Sequence, residues 1–237
     1  CDPQLGLGIY HYYAEVVPKI IRIFDFILDM GGDKEHGLEE LQLSLERGFF
    51  TRDEARFFMA DILEHYEGRP WAALPLLLDL SQRYPRNRGF QWRLAELCGQ
   101  LGLHEQAARL WRGVAAAYPE DAPRRGDALS HTGEELLRAG ESTEAEAVLL
   151  QLVKEGDARP GAILSRGYYD LAVARDLLGD SLQASRYYRE AQRLGDGRTA
   201  AISARRLADP RDLPWETLEE DPAMLAAALS PARLPWI

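Results

Sequence analysis

Histidine, cysteine and paired carboxylates are the side chains that most often carry catalysis or hold a metal, so their spacing comes first. The five histidines are His11, His36, His65, His104 and His131, spread along the whole chain. The stretch HEQAA starting at His104 has only the first half of a zinc-hydrolase helix. That motif needs a second histidine four residues on, so that both imidazoles share one helix face. None stands there or beside any other histidine at that interval. GLGIYHYY, beginning at Gly6, supplies two of the three glycines of a dinucleotide-binding loop, with no strand before it. No phosphate-loop lysine pattern and no serine elbow occur. Cys1 and Cys98 are too few for a disulfide framework or a thiolate metal site. Cys98 falls at a packed helical position, where a thiol is inert rather than nucleophilic. The acidic residues lie on amphipathic helices, where they form solvated faces. No catalytic constellation, metal site or cofactor is expected, and the chain reads as a non-enzyme.

The elements that carry these residues follow from composition and periodicity. With 237 residues, 46% hydrophobic and 28% charged, the chain has the balance of a globular protein able to bury a large core. Its net charge of −10 disfavours nucleic acid and anionic membrane surfaces. No run of 18 apolar residues exists; the strongest candidate, 16–30, is interrupted by Lys19, Arg22, Asp25 and Asp29. Lysine occurs only as Lys19, Lys34 and Lys154, and arginine supplies the other basic residues, a bias that points to a GC-rich genome. Strand signals are nearly missing. Apolar residues instead recur at i, i+3, i+4 and i+7 in segments of about 12–18 residues ended by glycine or proline.

Those segments repeat. Gly32, Gly68, Gly102, Gly140 and Gly179 end alternate segments at intervals of 34 to 39 residues. Five residues after each glycine stands a small residue: Gly37, Ala73, Ala107, Ala145 and Ala184. Before three of them, one at a time, stand Ala95, Gly133 and Ala172. Small residues at fixed positions let paired helices approach to about 8–10 Å, and a period of this length marks a solenoid of helix pairs. In EGRPWAALPLLLDLSQRYPRN (67–87), Pro70 falls near the first helical position, Pro85 stops the helix, and Pro75 inside it should bend it.

LAELCGQLGLHEQAARLWRGVAAAYP and YYDLAVARDLLGDSLQASRYYREAQRL carry a Leu-Ala pair in the first helix, a turn glycine and a small residue in the second. Pro85 and Pro119 close successive units. On these residues the chain resembles the tetratricopeptide repeat (TPR) proteins of bacterial type. The resemblance covers roughly 18–195 and implies an all-α fold, a right-handed α-solenoid of about five TPR-like helix pairs. Asp61 replaces the small residue in the second unit, and EDAPRRGD (120–127) is inserted between the third and fourth. Residues 1–17 read as an N-terminal lead-in segment and 196–237 as a terminal helix and capping tail. That tail includes a short helix opened by Asp221 and Pro222.

In similar repeats the first helices line a concave groove that takes a protein or peptide. The resemblance places Arg22 and Phe26, Phe58 and Ile62, Trp92 and Glu96 in that groove, then Ser130, Glu134 and Arg138, and finally Arg166, Tyr169 and Asp176. The working set for partner binding is Phe58, Trp92, Glu96, Glu134, Arg138, Arg166 and Tyr169. Phe58 and Trp92 could equally fill gaps between helices. Trp92 and Glu96 stand where chaperone-binding members of the family clamp a carboxylate with lysine and asparagine, so that activity is not expected. The leading expectation is a non-enzymatic protein- or peptide-binding scaffold with no nucleic-acid partner and no inserted membrane segment, in a bacterial cytoplasm or periplasm. The alternative is the repeat portion of a larger enzyme or envelope lipoprotein, since a mature lipoprotein also begins at cysteine. A third reading, a small-molecule carrier, rests on Tyr10, Tyr12 and Tyr13.

Overall fold

The structure is a computed structural model that describes residues 2–16, 32–156, 161–195 and 197–208. Among the described residues there are eleven helices and no strand. They are α1 (Pro3–Val16), α2 (Lys34–Arg47), α3 (Arg52–His65), α4 (Pro70–Arg83), α5 (Arg88–Gln100), α6 (His104–Ala116), α7 (Pro123–Arg138), α8 (Ser142–Lys154), α9 (Gly161–Leu177), α10 (Ser181–Leu194) and α11 (Gly197–Ala208). The chain divides into two compact units, Cys1–Phe90 and Gln91–Ile237. The segment 17–31, with Arg22 and Phe26, lies outside the described residues, as does the tail 209–237 with its expected cap and short helix.

The turns follow from glycine. Gly68, Gly102, Gly140 and Gly179 have φ between +60° and +85°, a region that costs an L side chain about 1 kcal/mol or more. Gly32 is not among them. After Gly102, Gly140 and Gly179 the next N–H reaches back into the helix: Leu103 to the Cys98 carbonyl, Glu141 to Leu136 and Asp180 to Arg175, at 2.8–2.9 Å. Each such bond satisfies a carbonyl that the helix end would leave bare. Helix starts are equally explicit. Pro70 and Pro123 open α4 and α7, and the carboxylates of Asp33 and Asp180 accept from the N–H groups of His36 and Gln183. Pro75 sits inside α4, which runs unbroken from 70 to 83.

In the first unit α1 packs on α2, α2 on α3 and α3 on α4. In the second, α7 packs on α8, α8 on α9 and α9 on α10, while α7 and α9 also lie side by side. The repeated small residues sit where this packing needs them: Ala73, Ala95, Ala107, Ala145, Ala172 and Ala184 are fully buried. The insertion between the third and fourth units is built in by Arg125, which donates to the Ala115 carbonyl and, through two nitrogens, to Glu155. Cys98 is buried as expected, and burial pushes its thiol up to about 12.

Gly37 approaches α1, at Gly8 and Tyr12. A Cβ on Gly37 would lie 2.6 Å from the Tyr12 nitrogen and 2.8 Å from the Gly8 oxygen. These are backbone atoms, so the helices themselves would have to separate. Overpacking costs ~1–3 kcal/mol, while alanine gains about 1 kcal/mol over glycine in a helix, so Gly37→Ala should destabilise. Gly113 in α6 has nothing among the described residues within 4 Å of such a Cβ, so Gly113→Ala should stabilise by ~0.5–1 kcal/mol. Urea midpoints of the two variants should therefore move in opposite directions; a midpoint raised in Gly37→Ala as well would contradict the Gly8–Gly37 crossing.

Candidate functional site

In the second unit, α11 packs on both α10 and α9, the place a further first helix would occupy. It is pinned by Arg206, only 5% exposed, whose guanidinium donates to the Tyr188 hydroxyl and to Asp176. Ser165 fixes α9 by donating to the Ala191 carbonyl of α10. The row α7, α9 and α11 then encloses a cleft of about 390 Å³, lined by Glu134, Arg166, Tyr169, Asp170, Arg198, Thr199 and Ile202. Three of these, Glu134, Arg166 and Tyr169, belong to the groove set read from sequence.

The charges in the cleft are unevenly satisfied. Glu134 is paired with Arg166 and with Arg138. Burial opposes its charge, but His131, Arg166 and Arg138 outweigh that and hold its carboxyl down to about 2. Asp170, 8% exposed, has an Oδ2 with no hydrogen-bond partner among the described residues. Burial, then the nearby Glu134 charge, pushes its carboxyl up to about 7 against the pull of Arg166 and Arg138. Arg198 stands exposed in the first turn of α11. A buried carboxyl with an oxygen unfilled among the described residues, in one cleft with the exposed Arg198 guanidinium, can accept a donor or cation while Arg198 offers donors to an anion.

The other groove positions divide. Phe58 lines a second cleft of about 430 Å³ in the first unit, with Asp53, Glu54, Phe57, Tyr84, Asn87 and Phe90. Ile62 is fully buried and belongs to the core, because the α3 face it occupies is turned inward with Ala55 and Met59. Ser130 is also buried. Asp176 is held by Arg206 and Tyr188. Trp92 donates to Glu96 at 2.7 Å, stands edge-on to the buried Trp111, and carries the Arg124 guanidinium over its face. Tyr12 is buried and donates to Glu67, and Tyr13 donates to Asp61. Tyr12 is thus part of the packed structure, and Tyr13, half-buried, is tied to α3. Asp170, Arg198 and Thr199 were missed because their role depends on α11 returning beside α9.

No protein-family model matches the chain, and no curated protein matches it. Solved structures do. The chain is similar to MamA, residues 41 to the end, from Desulfovibrio magneticus RS-1, at 15% identity over 74% of this chain and 93% of that one, with a TM-score of 0.54. It is also similar to MamA MSR-1 C2, at 18% identity over 68% and 88%, TM-score 0.52. A putative kinesin light chain from Podospora anserina with nearly identical TPR-like repeats aligns at 16% identity over 81% and 93%, TM-score 0.55. The likeness is one of fold: an all-α solenoid of the tetratricopeptide type. Among the described residues no helix is long and apolar enough to cross a membrane.

Proposed function

We propose that this chain is a non-enzymatic scaffold that binds a protein or peptide segment, and that the cleft on α7, α9 and α11 is where it does so. The observation that supports this most is Asp170, a buried carboxyl whose Oδ2 has no partner among the described residues, in a cleft flanked by Arg166 and Arg198. Leaving such an oxygen unmade costs ~1–3 kcal/mol, and a ligand that supplies a lysine, arginine or amide N–H recovers it. Arg198, exposed at the rim, meets a carboxylate on the same segment. Tyr169 supplies the aromatic wall that often carries binding energy. The ligand class is therefore a segment bearing both charge signs, and the groove set Glu134, Arg138, Arg166 and Tyr169 is its contact surface.

The test begins with peptides selected from a display library on the wild-type chain. Their affinities are then measured by fluorescence polarisation for Arg198→Glu, Tyr169→Ala and, as a control on the exposed side of α10, Leu182→Ala. Loss of an anchor worth about 2 kcal/mol weakens binding roughly 30-fold. Both cleft variants should show a loss of that order and the control none. Wild-type affinity in both cleft variants would overturn the reading.

A further inference from the structure

His36 and Glu40 stand four residues apart on α2 and share one face, and His11 of α1 meets them beside the Gly8–Gly37 crossing. His11 Nδ1 lies 2.7 Å from Glu40 Oε2, and His36 Nε2 lies 3.5 Å from Glu40 Oε1. The two imidazole centres are 5.3 Å apart. One donor atom from each of the three residues falls within 4.8 Å of the others. Donors around a tetrahedral ion with bonds of about 2.0–2.1 Å are separated by about 3.3 Å, so small side-chain rotations suffice. We propose that His11, His36 and Glu40 form a binding site for a divalent first-row transition metal, of which Zn²⁺ is the type.

Three features of the fold favour this over a plain hydrogen-bonded cluster. The first is rigidity: the ligands flank the point where two glycines bring the helix backbones into contact, so their Cα positions are fixed by packing. The second is access. The His11 and Glu40 side chains are 14% and 12% exposed, while His36 is 51% exposed, leaving the outer side free for a water ligand. The third is orientation. With Nε2 on the metal, Nδ1 of His36 faces Glu39 Oε2 at 3.9 Å, beyond hydrogen-bond distance, so that a rotation of the exposed Glu39 side chain supplies the outer carboxylate that a metal-bound imidazole takes. Two nitrogens and one carboxylate suit Zn²⁺, Co²⁺ or Ni²⁺ and not Mg²⁺ or Ca²⁺, which take oxygen ligands.

The experiment uses the full chain after chelator treatment, titrated with Co²⁺ by visible absorption and with Zn²⁺ by calorimetry. The expected result is saturable one-to-one binding, weakened at least ~tenfold in His36→Ala and in Glu40→Gln. His36 is exposed enough that its loss leaves the fold intact, so the effect reads the site. Zn²⁺ should raise the melting temperature of the wild type and not of His36→Ala, and Mg²⁺ should raise neither. Equal Zn²⁺ affinity in the wild type and His36→Ala, or no saturable binding, would overturn the site; a Mg²⁺ shift lost in Glu40→Gln would overturn the metal class.

Discussion

Asp170→Asn should make the protein more stable at pH 8, leave its stability nearly unchanged at pH 4, and weaken partner capture. In the native chain burial holds the Asp170 carboxyl at about 7, against an ordinary value of 3.8. Below about pH 4 the group is protonated folded or unfolded and contributes no difference. As pH rises from about 4 to 7, the unfolded chain releases the proton and the native chain retains it, so stability falls. Above 7 the native state carries the buried charge and the loss stays constant. Asparagine keeps the shape without the charge, so the gain at pH 8 is ~1–3 kcal/mol. Urea midpoints at the two pH values check this. A variant less stable than wild type at pH 8 would mean that the native fold satisfies the Asp170 charge. Greater stability with poorer binding is the pattern expected of a residue kept for its ligand.

The second large effect is at a packing position. Ala184 is fully buried in the cluster with Ala172, Val173 and Tyr188, where α9 meets α10. Ala184→Arg should cost at least ~3 kcal/mol, since overpacking adds ~1–3 kcal/mol and an unpaired buried charge several more. The damage should spread to the cleft, because Tyr188 holds Arg206 and Arg206 holds α11. Leu182→Arg, two residues earlier at 73% exposure, should change stability by less than ~0.5 kcal/mol. Similar denaturant midpoints for the two variants would contradict the placement of Ala184.

Much of the fold was legible because each turn glycine and each small residue acts locally. Gly102, Gly140 and Gly179 announce positive-φ turns, and the alanines five residues on announce the close contacts. The helix 197–208 was also readable from its own periodicity. Groove membership was not, because it depends on rotation about each helix axis. Ile62 lies four residues after Phe58 on α3, yet Phe58 lines a cleft and Ile62 is buried. The same limit hid Asp170, adjacent in sequence to Tyr169 but distinguished by its burial and by an oxygen left unfilled among the described residues. The i, i+4 spacing of His36 and Glu40 stands in the sequence but was not read as a pair; His11 meets them only through the Gly8–Gly37 crossing.

Hydrogen exchange with and without a selected peptide measures most directly where the ligand sits. The account predicts slowed exchange on α9 and α11, within 161–177 and 197–208, and on the Glu134 turn of α7, with α8 and α10 unchanged. Protection confined to α8 and α10, or to the first unit with α9 and α11 unaffected, would contradict it.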